Sequence, residues 1–164
     1  MIKKPLISIL MNCFNGELYL REALDSLISQ DYKNWELIFW DNKSKDSSLE
    51  IVSSYKDKRI RIFRSLKHTN LGEARKNAFK KAKGEYLAFL DVDDLWRADK
   101  LKNQIKFFED KSIGIVFTNT LFFSKKASKN LYNPSHKISV NTSSLITNYC
   151  LPLVSTMIDI QKIK

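Results

Sequence analysis

The sequence contains little cysteine and no long hydrophobic run. Its 164 residues include two cysteines, Cys13 and Cys150, which are too few for a disulfide framework and too far apart to suggest a set of zinc ligands. We therefore expect reduced thiols in an intracellular protein. No stretch approaches the roughly 18 uninterrupted apolar residues of a membrane-spanning helix. We expect a soluble protein, or at most one that is peripheral to a membrane.

Acidic residues are also scarce, and this leaves a basic chain. The 28 Lys and Arg residues outnumber 18 Asp and Glu, so the formal net charge is +10. This balance favours anionic partners, namely nucleotides, nucleic acids or an anionic membrane surface, but it does not choose among them. A hydrophobic content of 43% indicates a globular protein, and the length suffices for one domain with a core.

The N-terminus begins with basic residues and a short apolar run, Leu6–Met11. The run is followed directly by Asn12 and shows no cleavage pattern of small residues, so it does not fit a signal peptide. A first β-strand is the better interpretation.

Short apolar runs alternate with amphipathic segments along the chain. Three-and-four spacing of apolar residues predicts helices that begin near Leu20, Leu71 and Leu101. The alternation predicts an α/β fold with right-handed βαβ units and a mainly parallel sheet. Residues Phe122–Lys137 are expected to form an irregular loop or hairpin at the edge of the fold. The predicted strands are Leu6–Met11, Glu36–Trp40, Arg59–Phe63, Tyr86–Leu90 and Ile113–Thr118.

Three aspartates follow the fourth predicted strand, in the stretch "YLAFLDVDDLW". Crowded carboxylates repel one another, and their desolvation is costly, so a cation is expected beside them. If the backbone stays extended from Asp91 to Asp93, both side chains face the same ligand. Oxygen ligands at this spacing suit Mg²⁺ or Mn²⁺, which would also neutralise a diphosphate.

Other polar residues are expected at the same edge of the sheet. Asn12–Asn15 follow the first predicted strand and Asp41 follows the second. Ligands of open α/β sheets bind outside the carboxyl ends of the strands. These residues could therefore converge with Asp91 and Asp93 on one crevice.

Each of these residues also has a purely structural interpretation. Asp41 could begin a turn, and Asp93 or Asp94 could cap the next helix, a role that is compatible with metal binding. Arg75 could belong to a solvated helix face. Surface positions are expected for His68 and His136, and packing roles are expected for Cys13, Trp35, Trp40 and Trp96.

Two stretches resemble the nucleotide-sugar-binding part of a family 2 glycosyltransferase with the GT-A fold. They are "SILMNCFNGELYLREALDSLISQDYKNWELIFWDNKSKDSS" and "NLGEARKNAFKKAKGEYLAFLDVDDLWRADKLKNQ". The resemblance covers most of Ile7–Gln104 in order and spacing, and it implies a Rossmann-like three-layer sandwich with helices on both faces of a mostly parallel sheet. It divides a single domain, 1–164, into a nucleotide-sugar-binding half, 1–110, and the start of an acceptor-side half, 111–164.

The resemblance assigns a role to each candidate residue of the nucleotide pocket. Asp41 would bind the nucleotide base, and Asn15 would line the same pocket. Arg75 would approach the base or the diphosphate from its helix, where Gly72 would allow the backbone to turn closely. These roles agree with the general preference of phosphate for helix N-termini and arginine.

The same resemblance assigns the aspartates to a metal site. Asp93 would be the principal ligand of a divalent cation, Mn²⁺ or Mg²⁺, that bridges the diphosphate. Asp91 would contact the metal or the ribose, and Asp94 would shape the sugar site or support the metal ligands. The catalytic base of the family has no identified counterpart here; Asp159 is the last acid, and no motif marks it as catalytic.

Several positions depart from the family pattern. Many members carry proline and tyrosine where this chain has Asn12 and Phe14, and aspartate and glycine where it has Asn42 and Lys43. The chain also stops earlier than the family's catalytic domain, after a stretch, "STMIDIQKIK", that resembles a strand before the catalytic base. We therefore expect a fold that is truncated at its C-terminus.

The resemblance implies metal-dependent, inverting transfer of a sugar from a nucleotide-diphosphate sugar to a glycan or lipid-linked acceptor, in surface glycan biosynthesis. A non-catalytic nucleotide-sugar-binding module or truncated remnant is the first alternative. A nucleotidyltransferase is the second, although "NCFNGE" is not a Gly-rich basic loop. No nucleic-acid recognition motif occurs, so no nucleic-acid partner is expected. We expect a cytoplasmic protein, with the inner face of the membrane and a homo-oligomer as open options.

Overall fold

The computed structural model of the protein describes residues 4–123, 128–130 and 152–162. Cys150 and His136 lie outside these residues, so the interpretations of both stay predictions. The helices and strands are β1 (Ile7–Cys13), α1 (Leu20–Ile28), β2 (Trp35–Asp41), α2 (Ser48–Ser54), β3 (Ile60–Arg64), α3 (Leu71–Phe79), β4 (Tyr86–Phe89), α4 (Lys100–Ile105), β5 (Ile115–Phe117), β6 (Leu121–Phe123), β7 (Ser128–Asn130) and β8 (Thr156–Asp159).

Six strands form one sheet in the order β3-β2-β1-β4-β8-β5. The first four strands of this order run parallel, whereas β8 pairs antiparallel with both of its neighbours. A crossover helix lies between each pair of successive parallel strands, as right-handed βαβ units require. The predicted mostly parallel sheet is therefore confirmed, with one antiparallel strand inserted between β4 and β5.

Helices cover both faces of the sheet, because alternate strand residues point to opposite sides. Ile9 and Leu37 belong to one apolar cluster, with residues of α1, α2 and α4. Leu10 and Ile38, their neighbours in sequence, belong to a second cluster that contains Ala78 of α3. The two clusters are the two interfaces of a three-layer sandwich, which confirms the predicted fold class.

The sequence pattern identified most elements but missed one helix. All five predicted strands and the three predicted helices are present, and β6 and β7 pair within the predicted hairpin at 122–137. Residues 124–127 and 131–137 of that prediction lie outside the described residues. Helix α2, Ser48–Ser54, was not predicted. Its seven residues bury only Ser48 and Val52, so it presents too short an apolar stripe to reveal helical spacing. The third predicted helix turns into a 3-10 helix at Lys106.

A network of polar groups around the buried Glu36 joins four segments at the amino edge of the sheet, namely β1, β2, β3 and the stretch before β4. Glu36 Oε1 accepts hydrogen bonds from Ser8 Oγ at 2.7 Å and from the Lys83 amide at 2.6 Å. Its Oε2 accepts one from Arg61 Nη1 at 2.6 Å. The Gly84 amide donates to Ser8 Oγ at 2.8 Å. Because each bond joins a different pair of segments, the network fixes the chain where it enters β4.

The charge of Glu36 makes this network sensitive to acid. Burial raises the pKa of the Glu36 carboxyl, but the hydrogen bonds from Ser8, Arg61 and Lys83 outweigh burial and lower that pKa below its ordinary value of 4.5. A carboxyl with a lowered pKa in the folded state stabilises the fold above its unfolded-state pKa, and this stability is lost as the pH falls through the folded-state pKa.

We expect Glu36→Gln to be less stable than the wild type at pH 7, because the ion pair with Arg61 is lost. We expect this difference to shrink as the pH falls below 4.5, because protonation removes the same charge from the wild type. Urea denaturation of both proteins between pH 3 and pH 7 measures the difference. A free-energy difference that stays constant over this range would contradict the assigned role of the Glu36 charge.

No helix within the described residues is long and apolar enough to cross a bilayer.

Candidate functional site

Polar side chains collect at the carboxyl ends of β2, β1 and β4, which are neighbours in the sheet. Cys13 of β1 lies opposite Asp41 of β2, and the amide of Asn42 donates to the Cys13 carbonyl at 2.8 Å. On the other side of β1, the Leu90 amide donates to the Leu10 carbonyl. The three strands therefore deliver their following loops to one edge of the sheet, the carboxyl edge, as predicted.

Asp41 is the last residue of β2 and is fully buried. Its Oδ1 accepts a hydrogen bond from the Ser44 amide at 3.0 Å, so the turn interpretation of Asp41 is confirmed. Its Oδ2 lies 3.2 Å from Nε of the half-exposed Arg64, but accepts no well-aligned hydrogen bond from the described residues. One carboxylate oxygen thus orders the loop, and the other keeps capacity for a further N–H donor.

Asn15 ties the loop after β1 to the loop after β2. Its side-chain oxygen accepts from the Lys45 amide at 2.9 Å, and its own amide donates to Ser44 Oγ at 3.0 Å. Asn15 has φ 55° and Lys43 has φ 68°, in the left-handed region that asparagine tolerates better than most residues. Asn15 therefore shapes the wall beside Asp41.

Asn42 joins the loop after β2 to the segment that precedes α3. Its side chain donates to the Thr69 carbonyl at 2.7 Å and accepts from the Thr69 amide and hydroxyl at 3.1 Å each. His68 is exposed, as predicted, and its ring packs against Phe14 with 4.2 Å between centroids. These contacts place the start of α3 beside the loops that carry Asn15 and Asp41.

Gly72 is the second residue of α3, two positions after the capping residue Asn70, whose side chain accepts from the Glu73 amide at 2.9 Å. A Cβ added at Gly72 would meet only Asn70 Oδ1, at the ordinary contact distance of 3.4 Å. The fold itself therefore does not require glycine at this position, because an added Cβ has room and Gly72 has no positive φ.

The three aspartates follow β4 in a turn. The Asp94 amide donates to the Asp91 carbonyl at 3.2 Å, so the backbone is not extended from Asp91 to Asp93. The prediction that both side chains face the same ligand depended on an extended backbone, and that condition was wrong. The turn still brings Asp91, Asp93 and Asp94 to the wall of one cleft.

The interpretation of Asp93 or Asp94 as a helix cap was also wrong. Helix α4 begins at Lys100, and the residue that precedes it is Asp99. The segment 95–99 between the acids and the helix instead inserts Trp96 into the core, where its indole N–H donates to the Val154 carbonyl at 3.1 Å. The position of the acids therefore has no explanation in helix capping.

Arg75 contacts the first of the acids. Its Nη2 lies 3.2 Å from Oδ1 and 3.3 Å from Oδ2 of Asp91. Both side chains are partly exposed, so Arg75 is paired with an acid and is not only part of a solvated helix face. The pair links α3 to the loop after β4, and it places the guanidinium beside the cleft.

Asp94 experiences the crowding directly. Burial, together with the negative charges of Asp91 and Asp93, raises the pKa of its carboxyl to about 6. Burial makes the largest contribution to this rise in the pKa, and repulsion from the other two carboxylates adds to it. A bound cation would relieve this repulsion.

The acids line a cleft of about 580 Å³ between the loop after β4 and strand β6. Its walls also include Tyr19 and Glu22 at the start of α1, the segment Leu121–Phe123 and the segment Pro152–Val154. A second cavity, of about 530 Å³, adjoins it and shares Asp94 and Thr120. Each of the two volumes is in the range of pockets that hold a small organic ligand.

The described residues fit a metal ion that is shared with a ligand rather than held by protein alone. Within residues 4–123 and 152–162, no three acidic, cysteine or histidine side chains are close enough to hold a metal ion by themselves. Mg²⁺ and similar hard cations are commonly bound by one or two carboxylates plus substrate phosphates. The aspartates of the cleft provide the oxygen chemistry for such a site, with Asp93 the most exposed of them.

Buried polar atoms without a hydrogen-bond partner are concentrated near the same edge. In the part of the chain that the structure describes there are five, and four of them lie at the ends of β1 and β2 or beside the cleft. Buried polar groups of this kind usually have partners, so the edge retains unused capacity to bind a polar ligand. The four are Asn12 Nδ2, Trp40 Nε1, Asp41 Oδ2 and Thr120 Oγ1.

The structure thus places the seven predicted residues in two adjoining groups. Asn15 and Asp41 belong to the loops after β1 and β2, with Gly72 nearby, whereas Arg75 joins Asp91 beside the acidic cleft. The sequence analysis missed Ser44, Arg64 and Asn42 as partners of these residues. Polar residues after a strand were a usable signal for Ser44 and Asn42, but the pairing of Arg64 with Asp41 depends on the register of β3 and β2.

Comparisons with known proteins agree with this architecture. The family model described as Glycosyl transferase family 2 matches residues 8–159. An uncharacterized glycosyltransferase of Haemophilus influenzae is 33% identical over 98% of this chain and 64% of its own length. WfgD of Escherichia coli, a UDP-Glc:alpha-D-GlcNAc-diphosphoundecaprenol beta-1,3-glucosyltransferase, is 30% identical over 94% of this chain and 60% of its own length.

A solved structure shows the same fold. The crystal structure of TarS 1-349 of S. aureus in complex with UDP-GlcNAc superimposes with a TM-score of 0.65 and 29% identity, over 68% of this chain and 33% of that one. The chain spans less than two thirds of the length of each of these proteins.

Proposed function

The chain belongs to glycosyl transferase family 2, and on this premise we propose that it forms the donor-binding part of an enzyme that transfers a sugar from a nucleotide-diphosphate sugar to an acceptor hydroxyl. The observation that supports this most directly is the position of Asp91, Asp93 and Asp94 on one cleft, at the same sheet edge as Asp41. The edge would thereby offer the base a hydrogen-bond acceptor, Asp41, and would offer a diphosphate-bound cation the carboxylates of the cleft.

The nucleotide base would bind beside the end of β2. Asp41 Oδ2 is buried and accepts no well-aligned hydrogen bond from the described residues, and a carboxylate oxygen accepts strongly from a base N–H. Asn15 orders the neighbouring wall through the Lys45 amide. The base would thus be recognised by a group that the fold already holds in place.

The diphosphate would lie between the start of α3 and the acidic turn. Gly72 lets a phosphate approach the first turn of α3, where backbone N–H groups favour anions. Arg75, which lies against Asp91, supplies a cation at the same place. Asp93, with Asp91, would hold a divalent cation against the diphosphate, and such an ion stabilises the negative charge of the departing group.

In the transfer we propose, the acceptor hydroxyl oxygen bonds to the anomeric carbon as the bond from that carbon to the diphosphate oxygen breaks. The nucleoside diphosphate leaves with the bonding electrons, and a carboxylate takes the hydroxyl proton. Attack from the face opposite the leaving group would invert the anomeric centre. We assign no residue of this chain to the proton transfer.

The acceptor is proposed to be a lipid-linked glycan intermediate in cell-surface glycan assembly. The printed name of the relative WfgD specifies a diphosphoundecaprenol-linked acceptor, and the net charge of +10 suits the anionic inner face of a cell membrane. We therefore place the enzyme in the cytoplasm at that face.

Calorimetric titration of UDP, GDP and dTDP, each with and without Mn²⁺, tests the donor site. We expect one nucleotide to bind, and its affinity to fall at least roughly tenfold when the metal is removed with EDTA, because the diphosphate then faces the acids without a bridging cation. Absence of binding by all three nucleotides, with protein shown to be folded by circular dichroism, would refute the proposal. Binding without sugar transfer to any lipid-linked acceptor would favour a nucleotide-sugar-binding module.

A further inference from the structure

A buried lysine lies in the wall of the second cavity, the one of about 530 Å³ beside the acidic cleft. Lys100 is the first residue of α4, and only 8% of its surface is exposed. Lysine is almost never buried to this extent unless a group of opposite charge compensates its ammonium group. The contacts of Lys100 therefore decide whether the cavity wall carries an uncompensated positive charge.

Within the described residues, the ammonium group of Lys100 contacts two groups that are both neutral. Nζ donates to Gln104 Oε1 at 2.6 Å and lies 4.2 Å from the centroid of the Trp96 ring, a cation–π contact. Gln104 is itself held in place, because its Nε2 donates to the Ser155 carbonyl at 2.8 Å. An ammonium group has three N–H donors, and the bond to Gln104 uses one of them.

No aspartate or glutamate of the chain pairs with Lys100. None of the ion pairs within residues 4–123, 128–130 and 152–162 includes it. The remaining residues, 1–3, 124–127, 131–151 and 163–164, contain no aspartate or glutamate at all. Because the amine is desolvated without a counter-charge, its pKa is lowered to about 7. The fold thus buries a basic group whose counter-charge the chain does not supply.

The wall of the same cavity contains a further unused polar group. Thr120 Oγ1 is buried and has no hydrogen-bond partner within the described residues. Of the other charged residues in the wall, Arg97 and Asp99 pair with each other at 3.3 Å, and Asp94 lies where the cavity meets the acidic cleft. An anionic group in the cavity would therefore find its favourable charge at Lys100.

We propose that the second cavity binds an oxyanion of the acceptor, a carboxylate or a phosphate, through the ammonium group of Lys100 and the hydroxyl of Thr120. The cavity adjoins the cleft that Asp91 and Asp93 line, so its ligand would lie beside the proposed donor site. This inference rests on the proposed function, which it deepens by assigning an acidic group to the acceptor. Such a group supplies the counter-charge that Lys100 lacks, in a charge-assisted hydrogen bond.

Titration of the whole chain with glucose, glucuronate and glucose 1-phosphate tests this site, in EDTA and without nucleotide. NMR of lysine labelled with ¹³C at its ε-methylene follows Lys100 directly. We expect glucuronate or glucose 1-phosphate to bind at least roughly tenfold tighter than glucose, because hydrogen bonds to charged groups contribute more than neutral ones. The pKa of Lys100 is expected to rise on binding, because a bound anion favours the charged amine. Tighter binding of glucuronate would identify a carboxylate as the oxyanion, and tighter binding of glucose 1-phosphate would identify a phosphate.

Lys100→Met removes the charge and keeps an unbranched side chain, so we expect its affinity for the acidic sugar to fall to that of the wild type for glucose. Replacing a buried charge by an apolar group is often tolerated by the fold. Lys102→Met is the matched control, since Lys102 is an exposed lysine of the same helix, and we expect it to bind like the wild type. Thr120→Val, which removes only a hydroxyl, is expected to weaken binding less than Lys100→Met does.

Equal affinity of the wild-type chain for all three sugars, or binding of none of them, would overturn the proposal. Equal affinities of Lys100→Met and Lys102→Met for the acidic sugar would do the same, because the anion would then bind elsewhere. An acidic sugar that binds without moving the Lys100 signal would also place the anion at another site. The nucleotide titration uses Mn²⁺ and no sugar, whereas this one uses neither nucleotide nor metal, so donor binding and oxyanion binding succeed or fail separately.

Discussion

Asp93→Asn is expected to lower the Mn²⁺-dependent affinity for the nucleoside diphosphate at least roughly 100-fold, because loss of residues that merely support metal ligands already costs 10–100-fold. The substitution removes one negative charge from a side chain that lies exposed on the cleft wall, so the fold is expected to stay intact. Calorimetry measures the effect, with whichever of UDP, GDP and dTDP the wild-type protein binds.

Two comparisons separate a metal role of Asp93 from a general effect of charge. Asp99→Asn removes an acid from the same loop, where Asp99 pairs with Arg97 at 3.3 Å, and is expected to leave the affinity within about twofold. The free nucleoside lacks the diphosphate, so its binding to Asp93→Asn is expected to match the wild type. Equal affinity of wild type and Asp93→Asn for the diphosphate in Mn²⁺ would refute Asp93 as the principal metal ligand.

Gly84→Ala is expected to destabilise the fold by at least about 3 kcal/mol, the upper part of the range for overpacking substitutions. A Cβ at Gly84 would lie 2.6 Å from the Ser8 amide nitrogen and 2.7 Å from the Leu6 carbonyl oxygen. Both are backbone atoms, one within β1 and one directly before it, so they cannot swing aside as a flexible side chain would. A backbone shift that relieves this clash would also break the hydrogen bond from the Gly84 amide to Ser8 Oγ. The same hydroxyl donates to Glu36.

Gly72→Ala provides the matched control for this stability measurement. The added methyl would meet Asn70 Oδ1 at 3.4 Å, and alanine is a better helix former than glycine by up to about 1 kcal/mol. Urea denaturation is therefore expected to show a stability equal to or above the wild type for Gly72→Ala, and a large loss for Gly84→Ala. Similar stabilities of the two variants would contradict the crowding assigned to Gly84.

The sequence predicted the sheet and the edge that carries the site because both depend on local patterns. Continuous apolar runs such as Tyr86–Leu90 indicate strands covered on both faces, and parallel strands bring the residues that follow them to one edge. Asp41 and the three acids could be placed at this edge for that reason.

Features that depend on pairing between distant segments could not be predicted in this way. The contact between Arg75 and Asp91 requires α3 to lie beside the loop after β4, and the Glu36 network requires β1, β2 and β3 to be in register. The turn at Asp91–Asp94 was missed although aspartate is favoured at the first position of a β-turn, because the Asp-x-Asp spacing also fits an extended backbone with both carboxylates on one side. The metal site and the base site remain predictions.

The antiparallel insertion of β8 sets an order for the assembly of the protein during synthesis. Tyr86 of β4 pairs with Asp159, and Val116 of β5 pairs with Met157. The edge of β4 that faces β8 therefore stays unpaired until β8, about 70 residues further along the chain, has left the ribosome. At about 5–20 residues per second this takes several seconds. During that time the nascent chain presents an unpaired strand to its neighbours, so slower translation before residue 156 is expected to increase aggregation of the newly made protein.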